Sequence, residues 1–240
     1  MSTYCISDIH GCYNEFMALI DKIKFISGVD KIYILGDVID RGPRPIDCLK
    51  YIRDTENIYF IRGNHEQMML DYYSGKDQLT WTYNGYIATK SDLDRIPKVE
   101  VLDLFSYLNE CPYYYTISMN GREYLLSHAG INNKAPLQEQ LVEDLIWGDK
   151  SFYRTKALGN YIYIFGHVVT VRLYNDYNCS IWYDSKFKDK IGIDCGCVYG
   201  GALSALRLED GATFYVKSTL SSSSFAMSNS QINYNHIPII

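Results

Sequence analysis

This 240-residue sequence is poor in the features that mark secreted, membrane-spanning or nucleic-acid-coating proteins. Its seven cysteines, Cys5, Cys12, Cys48, Cys111, Cys179, Cys195 and Cys197, include no CxxC pair, and their number is odd. Neither a disulfide framework nor a cysteine zinc cage is indicated, so free thiols in a reducing compartment are expected. Cys195-Gly-Cys197 could lend a metal two sulfurs, but no second pair supports it. No apolar run approaches the roughly 18 residues of a membrane span. The first residues already read as a strand, without the basic segment and apolar core of a leader. A soluble, cytoplasmic protein with no membrane partner is therefore expected. With a net charge of −5 and no long basic run, no nucleic-acid partner is indicated. No internal repeat is evident.

The residues present favour a folded α/β chain. Hydrophobic residues make up 47% and charged residues 21%, which suits a globular core, and the 23 tyrosines suit strands and half-buried surfaces. Thr3–Ile6 reads as a strand that ends in Ser7-Asp8-Ile9-His10-Gly11. Asp8 and His10 are two apart, so extended backbone turns both to one side, a carboxylate beside an imidazole that suits a first-row divalent metal. Asn14 to Lys24 has helical spacing at Phe16, Leu19, Ile20 and Ile23. A second strand from Lys31 ends in Leu35-Gly36-Asp37-Val38-Ile39-Asp40-Arg41-Gly42. Glycines bracket two carboxylates and a guanidinium, groups able to bind metal, orient an acid or base, and grip an oxyanion. After another helical pattern at Ile46, Leu49, Tyr51 and Ile52, the strand Asn57–Ile61 ends in Arg62-Gly63-Asn64-His65-Glu66. Parallel strands with right-handed crossovers follow from this order.

Gln67 to Tyr73 continues as a helix, residues 74–90 read as loop and short helix around Trp81, and Asp92 to Asn109 reads as a helix broken near Pro97. Asn120-Gly121-Arg122 between two apolar runs signals a hairpin whose second arm ends in Ser127-His128-Ala129-Gly130. Tyr161–Phe165 ends in Gly166-His167. Short strands follow at Ile181–Tyr183, Ile191–Asp194, Ala202–Leu206 and Ala212–Val216, with a turn at Glu209-Asp210-Gly211. A catalytic domain is expected over residues 1–217, and a polar C-terminal tail, flexible or loosely docked, over 218–240.

Four of the five histidines, His10, His65, His128 and His167, sit at strand ends, in company with Asp8, Asp37 and Asn64. In this order the motifs resemble those of the calcineurin-like metallophosphoesterases. More narrowly they resemble the serine/threonine phosphoprotein phosphatases of the compact bacterial and bacteriophage branch. The segment Ile193 to Gly201 is similar to the family's following strand and turn, so the resemblance covers about nine tenths of the chain.

The resemblance implies two mixed β-sheets packed as a sandwich with helices outside. It also implies two divalent ions, manganese first, with iron, zinc or cobalt also compatible with mixed nitrogen and oxygen donors. Asp8 and His10 would bind one ion, Asn64, His128 and His167 the other, and Asp37 would bridge them. A bridging hydroxide would attack phosphorus directly. His65 would protonate the leaving group, with Asp40 orienting it and favouring its charged form. Arg41 and Arg62 would bind phosphate oxygens together with Asn64, and Arg154, or else Arg172, would supply the family's further arginine. The implied function is hydrolysis of phosphoserine and phosphothreonine in phosphoproteins, with no regulatory subunit indicated. The rivals are a dinucleoside tetraphosphate hydrolase and a catalytically silent scaffold. Related nucleotide hydrolases tend to carry alanine at the position of Asp40 and aspartate at that of Glu66, so these two residues favour the protein phosphatase. Ser7, Ala129 and Val168-Val169 depart from the commonest pattern without removing a ligand.

Overall fold

Each of the first three apolar runs becomes a parallel strand because an amphipathic helix after it carries the chain back. In the computed structural model, which describes residues 1–174 and 179–220, β1 (Thr3–Ile6) leads to α1 (Tyr13–Ile23) and β2 (Lys31–Ile34) to α2 (Pro45–Asp54). β3 (Ile58–Phe60) leads to α3 (Asn64–Ser74). The buried stripe of α1 is Phe16, Leu19, Ile20 and Ile23, the face the spacing predicts. Pro45 opens α2, where a missing N–H breaks no helical bond. Beyond a single turn at Trp81–Tyr83 come α4 (Ile87–Leu93) and α5 (Lys98–Glu110). Pro97 caps α5, so the helix expected to break there is two separate helices.

The second half opens with the hairpin of β4 (Tyr114–Met119) and β5 (Arg122–Ser127). Asn120 and Gly121 take φ of 52° and 74°, the left-handed pair that a two-residue turn requires. Then follow α6 (Val142–Trp147), β6 (Tyr161–Phe165), α7 (Val171–Tyr174), β7 (Trp182–Tyr183), β8 (Lys190–Gly192), β9 (Ala202–Arg207) and β10 (Thr213–Lys217). The run Ile191–Asp194 leaves the strand at Gly192 because Asp194 starts a turn, its carboxylate accepting the Gly196 N–H at 2.8 Å.

Both sheets are mixed. The first has the order β10-β9-β1-β2-β3 and the second β4-β5-β6-β8-β7. Strand alternation sorts side chains into three cores. Cys5, Leu35, Leu126, Ile164 and Leu206 meet between the sheets. Tyr4, Ile6, Ile32 and Ile34 face outward under α1, α2, α3 and α5. Leu125, Tyr163 and Phe165 face the other way, under Leu145 and Ile146 of α6. The result is the expected α/β sandwich with helices on both outer faces.

The chain stays docked just past β10. The Ser218 N–H bonds Gly201 O, the Thr219 N–H bonds the Glu15 carboxylate at 2.9 Å, and Leu220 packs on the outer core. The rest of the expected tail, 221–240, lies outside the described residues. Among the described residues no helix is long and apolar enough to cross a membrane.

Candidate metal centre and its surroundings

The loops that leave β1, β2, β3, β5 and β6 at their C-terminal ends converge on one point, the usual place for a site in an α/β sheet. Their backbone is unusual. Among the described residues ten non-glycine residues have positive φ, and six of them are Asp8, His10, Asp37, Asp40, Arg41 and His167. Left-handed backbone is costly for such residues, so its concentration here marks a conformation imposed by the rest of the fold. Gly36 and Gly166 allow the close approach: a Cβ at Gly36 would come within 2.6 Å of His128 Nδ1, and one at Gly166 within 2.1 Å of an Asp8 oxygen.

Backbone carbonyls fix two histidine tautomers. A carbonyl can only accept, so His10 Nδ1, 2.8 Å from Ile39 O, and His128 Nδ1, 2.7 Å from Leu35 O, both carry protons. That leaves Nε2 of each ring as the atom turned inward, His10 Nε2 lying 3.6 Å from one Asp37 oxygen and His128 Nε2 3.4 Å from the other. The end of the Asn64 carboxamide lies 2.9 Å from His128 Nε2 and 3.1 Å from His167 Nδ1, with Asp37 also beside it. With its nitrogen inward it donates to these acceptors; with its oxygen inward it joins them as ligands for a cation. Donor atoms of His10, Asp37 and His65 fall within 4.8 Å of one another, and so do those of Asp37, His128 and His167. Asp37 is common to both groups, and its two oxygens face different histidines. This acceptor-rich set fits a pair of divalent ions of the borderline type that imidazole and carboxylate favour. The protein's own cation confirms the attraction: Arg41 places a guanidinium nitrogen 2.6 Å from His10 Nε2.

Electrostatics follow the same geometry. Burial raises the Asp37 acid, but the histidines His128 and His65 outweigh it and hold Asp37 well below the usual carboxylate range. Burial lowers His128, yet Asp37 beside it takes its pKa up to about 10. His167, buried and next to charged His128, is lowered to about 3. Asp8 is raised well above its ordinary value, by burial first and then by Asp194. Both Asp8 oxygens accept the His167 backbone N–H, at 3.1 and 3.0 Å, which ties the β6 loop to the β1 loop.

Glu66 has no exposed surface and no role in the expected site. It pins the loops. One of its oxygens accepts the N–H groups of Asp37 and Gly63, each at 3.0 Å, and the other those of Val38 and Ile39, at 2.8 and 3.2 Å.

His65 and Asp40 are fully buried partners, Nδ1 to Oδ2 at 2.6 Å. Two residues outside the expected site hold Asp40: Trp81 Nε1 donates to it at 2.8 Å and the Thr89 hydroxyl at 2.6 Å. They lie 41 and 49 residues away in the chain, so no motif spacing exposes them. Burial pushes the Asp40 acid up to about 7 against these bonds. Burial and then the Arg41 charge drive His65 down to about 3. Burial thus works against the charged form that the resemblance implies for His65, whose Nδ1 faces Asp40. Its Nε2 is buried, has no hydrogen-bond partner among the described residues, and lies 3.9 Å from Asp37.

Two of the expected phosphate-binding arginines point elsewhere. Arg62 donates to Gln67 Oε1 at 3.0 Å and to the carbonyls of Asn109 and Cys111 at 3.0 and 3.3 Å, with Tyr113 under its guanidinium. The open carbonyls at the C-terminal end of α5 hold it away from the loop it begins. Arg154 is exposed, and among the described residues its side chain makes no hydrogen bond or ion pair. Arg172 lies near enough to Tyr199 to lower its pKa against burial, and Tyr199 lies under Arg41 at 5.5 Å. Asp194 is a further buried acid facing the centre, raised to about 6 by burial, with Arg41 and Asp37 close by. Its segment stands out in the sequence, but nothing there distinguishes this carboxylate from a turn residue.

A family model for calcineurin-like phosphoesterases matches residues 1–200. Two curated proteins, from Escherichia coli K12 / DH10B and Shigella boydii serotype 18, are each 31% identical over 141 residues, 58% of this chain and 46% of theirs. Both are named symmetrical bis(5'-nucleosyl)-tetraphosphatase, and the match spans about half of their length. Among solved structures, a provisionally named diadenosine tetraphosphatase superposes with a TM-score of 0.70 at 21% identity, covering 92% of this chain and 95% of its own. A serine/threonine phosphatase from Saccharomyces cerevisiae does so at 0.62 and 14% identity, covering 92% and 81%. Such distant structures share the fold. The motif order, the two-sheet architecture and a family model spanning most of its length agree, and the chain belongs to the calcineurin-like phosphoesterases.

Proposed function

We propose that this chain hydrolyses dinucleoside tetraphosphates with the help of two divalent metal ions. The metal-dependent chemistry rests on one observation, the convergence of the inward-facing side chains of His10, His128 and Asn64 on the two oxygens of Asp37. The substrate rests on the curated relatives, whose names speak for nucleotides where the sequence motifs spoke for phosphoproteins. Asp8 and His10 would hold one ion, Asn64, His128 and His167 the other, and Asp37 would be shared by both. When bound, such ions polarise the phosphate and lower the pKa of water. Arg41 holds phosphate oxygens with a bidentate guanidinium, and Arg172 is better placed than Arg154 or Arg62 to assist it. His65, once its ring is protonated, would give the Nε2 proton to the departing oxygen, and Asp40 keeps that ring oriented through Nδ1.

A second reading, the phosphoserine and phosphothreonine phosphatase, is favoured by the His65–Asp40 pair itself. A nucleotide phosphate leaves readily without a proton, whereas a serine or threonine alkoxide needs one. The deciding experiment compares steady-state hydrolysis of diadenosine tetraphosphate with that of a phosphoserine/phosphothreonine peptide in Mn²⁺, with an EDTA control. A clear preference for the nucleotide is the expected outcome. A preference for the peptide overturns the substrate and leaves the metal chemistry standing. Activity that survives EDTA overturns the metal requirement.

A further inference from the structure

The metal centre grips phosphate, a group that nucleotides, phosphoproteins and inorganic phosphates share. A side chain that reads the rest of the substrate has to stand at the rim, and one there is unused by the phosphate chemistry. Trp147 is the last residue of α6. Its indole lies perpendicular to the His167 ring, with centroids 6.1 Å apart and planes at 89°. Leu145 and Ile146 before it are buried, whereas Trp147 is 37% exposed.

The end of α6 is fastened to the loop that carries His128. The Ala129 N–H donates to Leu145 O at 2.9 Å, and the Tyr153 hydroxyl donates to Ala129 O at 3.0 Å. Gly148 ends the helix at φ 78°, where a Cβ would come within 2.7 Å of that same Ala129 oxygen. The backbone under Trp147 is therefore fixed against the centre, and little of it is left to order when a ligand arrives.

Other aromatic groups of this region are committed. Tyr199 lies under the Arg41 guanidinium, Tyr153 holds Ala129, Trp81 is buried with its Nε1 on Asp40, and Trp182 packs on Phe165. Among the described residues His167 is the one ring that Trp147 meets. Of two perpendicular rings, the imidazole can cover at most one face of the indole. An indole face open beside a phosphate site is a platform for a nucleobase.

We propose that Trp147 stacks on the nucleobase of the ester held at the metal centre, and that this contact makes the chain prefer nucleotides to other phosphates. The role rests on the nucleotide function proposed for the centre. Stacking accepts any base, because every base has a π-face. Trp147 touches no reacting atom. It is a positioning residue that acts on affinity and not on the chemical step.

The test uses two phosphonates that resist hydrolysis, adenosine 5'-(α,β-methylene)diphosphate and methylenediphosphonate, titrated by calorimetry into the full-length, metal-loaded protein. They share the paired phosphorus groups and differ by the nucleoside. The nucleoside form binds about tenfold or more tightly. Trp147→Leu removes that advantage and changes methylenediphosphonate affinity by less than about twofold, while Trp147→Phe keeps part of the advantage. The nucleoside form also quenches indole fluorescence in the parental protein and not in Trp147→Phe, which retains Trp81 and Trp182. On diadenosine tetraphosphate, Trp147→Leu raises KM by about tenfold and leaves kcat within about twofold. Equal affinity of the parental protein for the two phosphonates overturns the proposal. So does a Trp147→Leu that weakens both alike, which makes the ring a support of His167 only. If diadenosine tetraphosphate is not hydrolysed while the nucleoside advantage and its loss in Trp147→Leu both hold, the tetraphosphate substrate is overturned and the stacking role stands.

Discussion

The two sheets supply the metal centre in different ways. The first sheet ends in three loops stapled together by one residue: Glu66, arriving on the third, accepts four N–H groups, three from the second loop and one from its own. The second sheet brings His128 and His167 on loops that lack such a clamp. His128 is oriented by a carbonyl of the first sheet, Leu35 O, and His167 is tied through its backbone to Asp8. One half of the centre is thus rigid in itself, and the other takes its position from the first. The difference teaches where a substitution acts. In the first half it strikes the fold and the site together. In the second it strikes mainly the ligand.

The largest effect is expected where the halves meet. Asp37→Asn removes the group shared by both donor clusters, and turnover falls by at least about a thousandfold with loss of both ions. Elemental analysis of the purified variant beside its kinetics checks this, and full activity with two ions bound would remove Asp37 from the centre. Next comes the clamp. Glu66→Ala orphans four buried N–H groups and costs about 3–5 kcal/mol, against about 1–3 kcal/mol for His128→Ala in the second half. Urea unfolding with an unchanged m-value measures both. Equal losses would erase the contrast between the halves.

A smaller effect tests the support around His65. Trp81→Phe removes one donor to Asp40 and slows hydrolysis of an alkyl phosphate by about tenfold, while p-nitrophenyl phosphate, whose leaving group needs no proton, is unaffected. Equal slowing on both substrates would make Trp81 a packing residue only. The smallest concerns two arginines of similar sequence context. Arg62→Lys shifts KM by less than about twofold, because its guanidinium is engaged with α5, whereas Arg41→Ala raises KM by about tenfold or more. A reversal would show that Arg62 leaves α5 when phosphate binds.

Much of this was legible in the order of the residues. Local signals survive folding when they act within a few positions. Asn120-Gly121 makes its turn wherever the hairpin sits, Pro97 ends a helix, and Asp8 and His10 leave the same strand end. Groups that meet across the fold leave no such trace. Trp81 and Thr89 reach Asp40 because α4 and the turn before it close over the second loop. Glu66 reads as the last residue of the segment Arg62 to Glu66 and proves to be a buried anchor. The direction of Arg62 depended on three acceptors, two of them backbone carbonyls at the end of a helix that could not be placed against it beforehand.

The sequence by itself determined the family, the strand-ending motifs and the set of side chains able to hold two cations, because these depend on residue type and near spacing. The tertiary structure decided which of them face one another, that the Arg62 guanidinium is engaged with α5, and that burial lowers the pKa of His65. Those outcomes depend on burial and on partners distant along the chain. Hydrogen-bond direction and desolvation are properties of packed space, and a one-dimensional order of residues does not contain them.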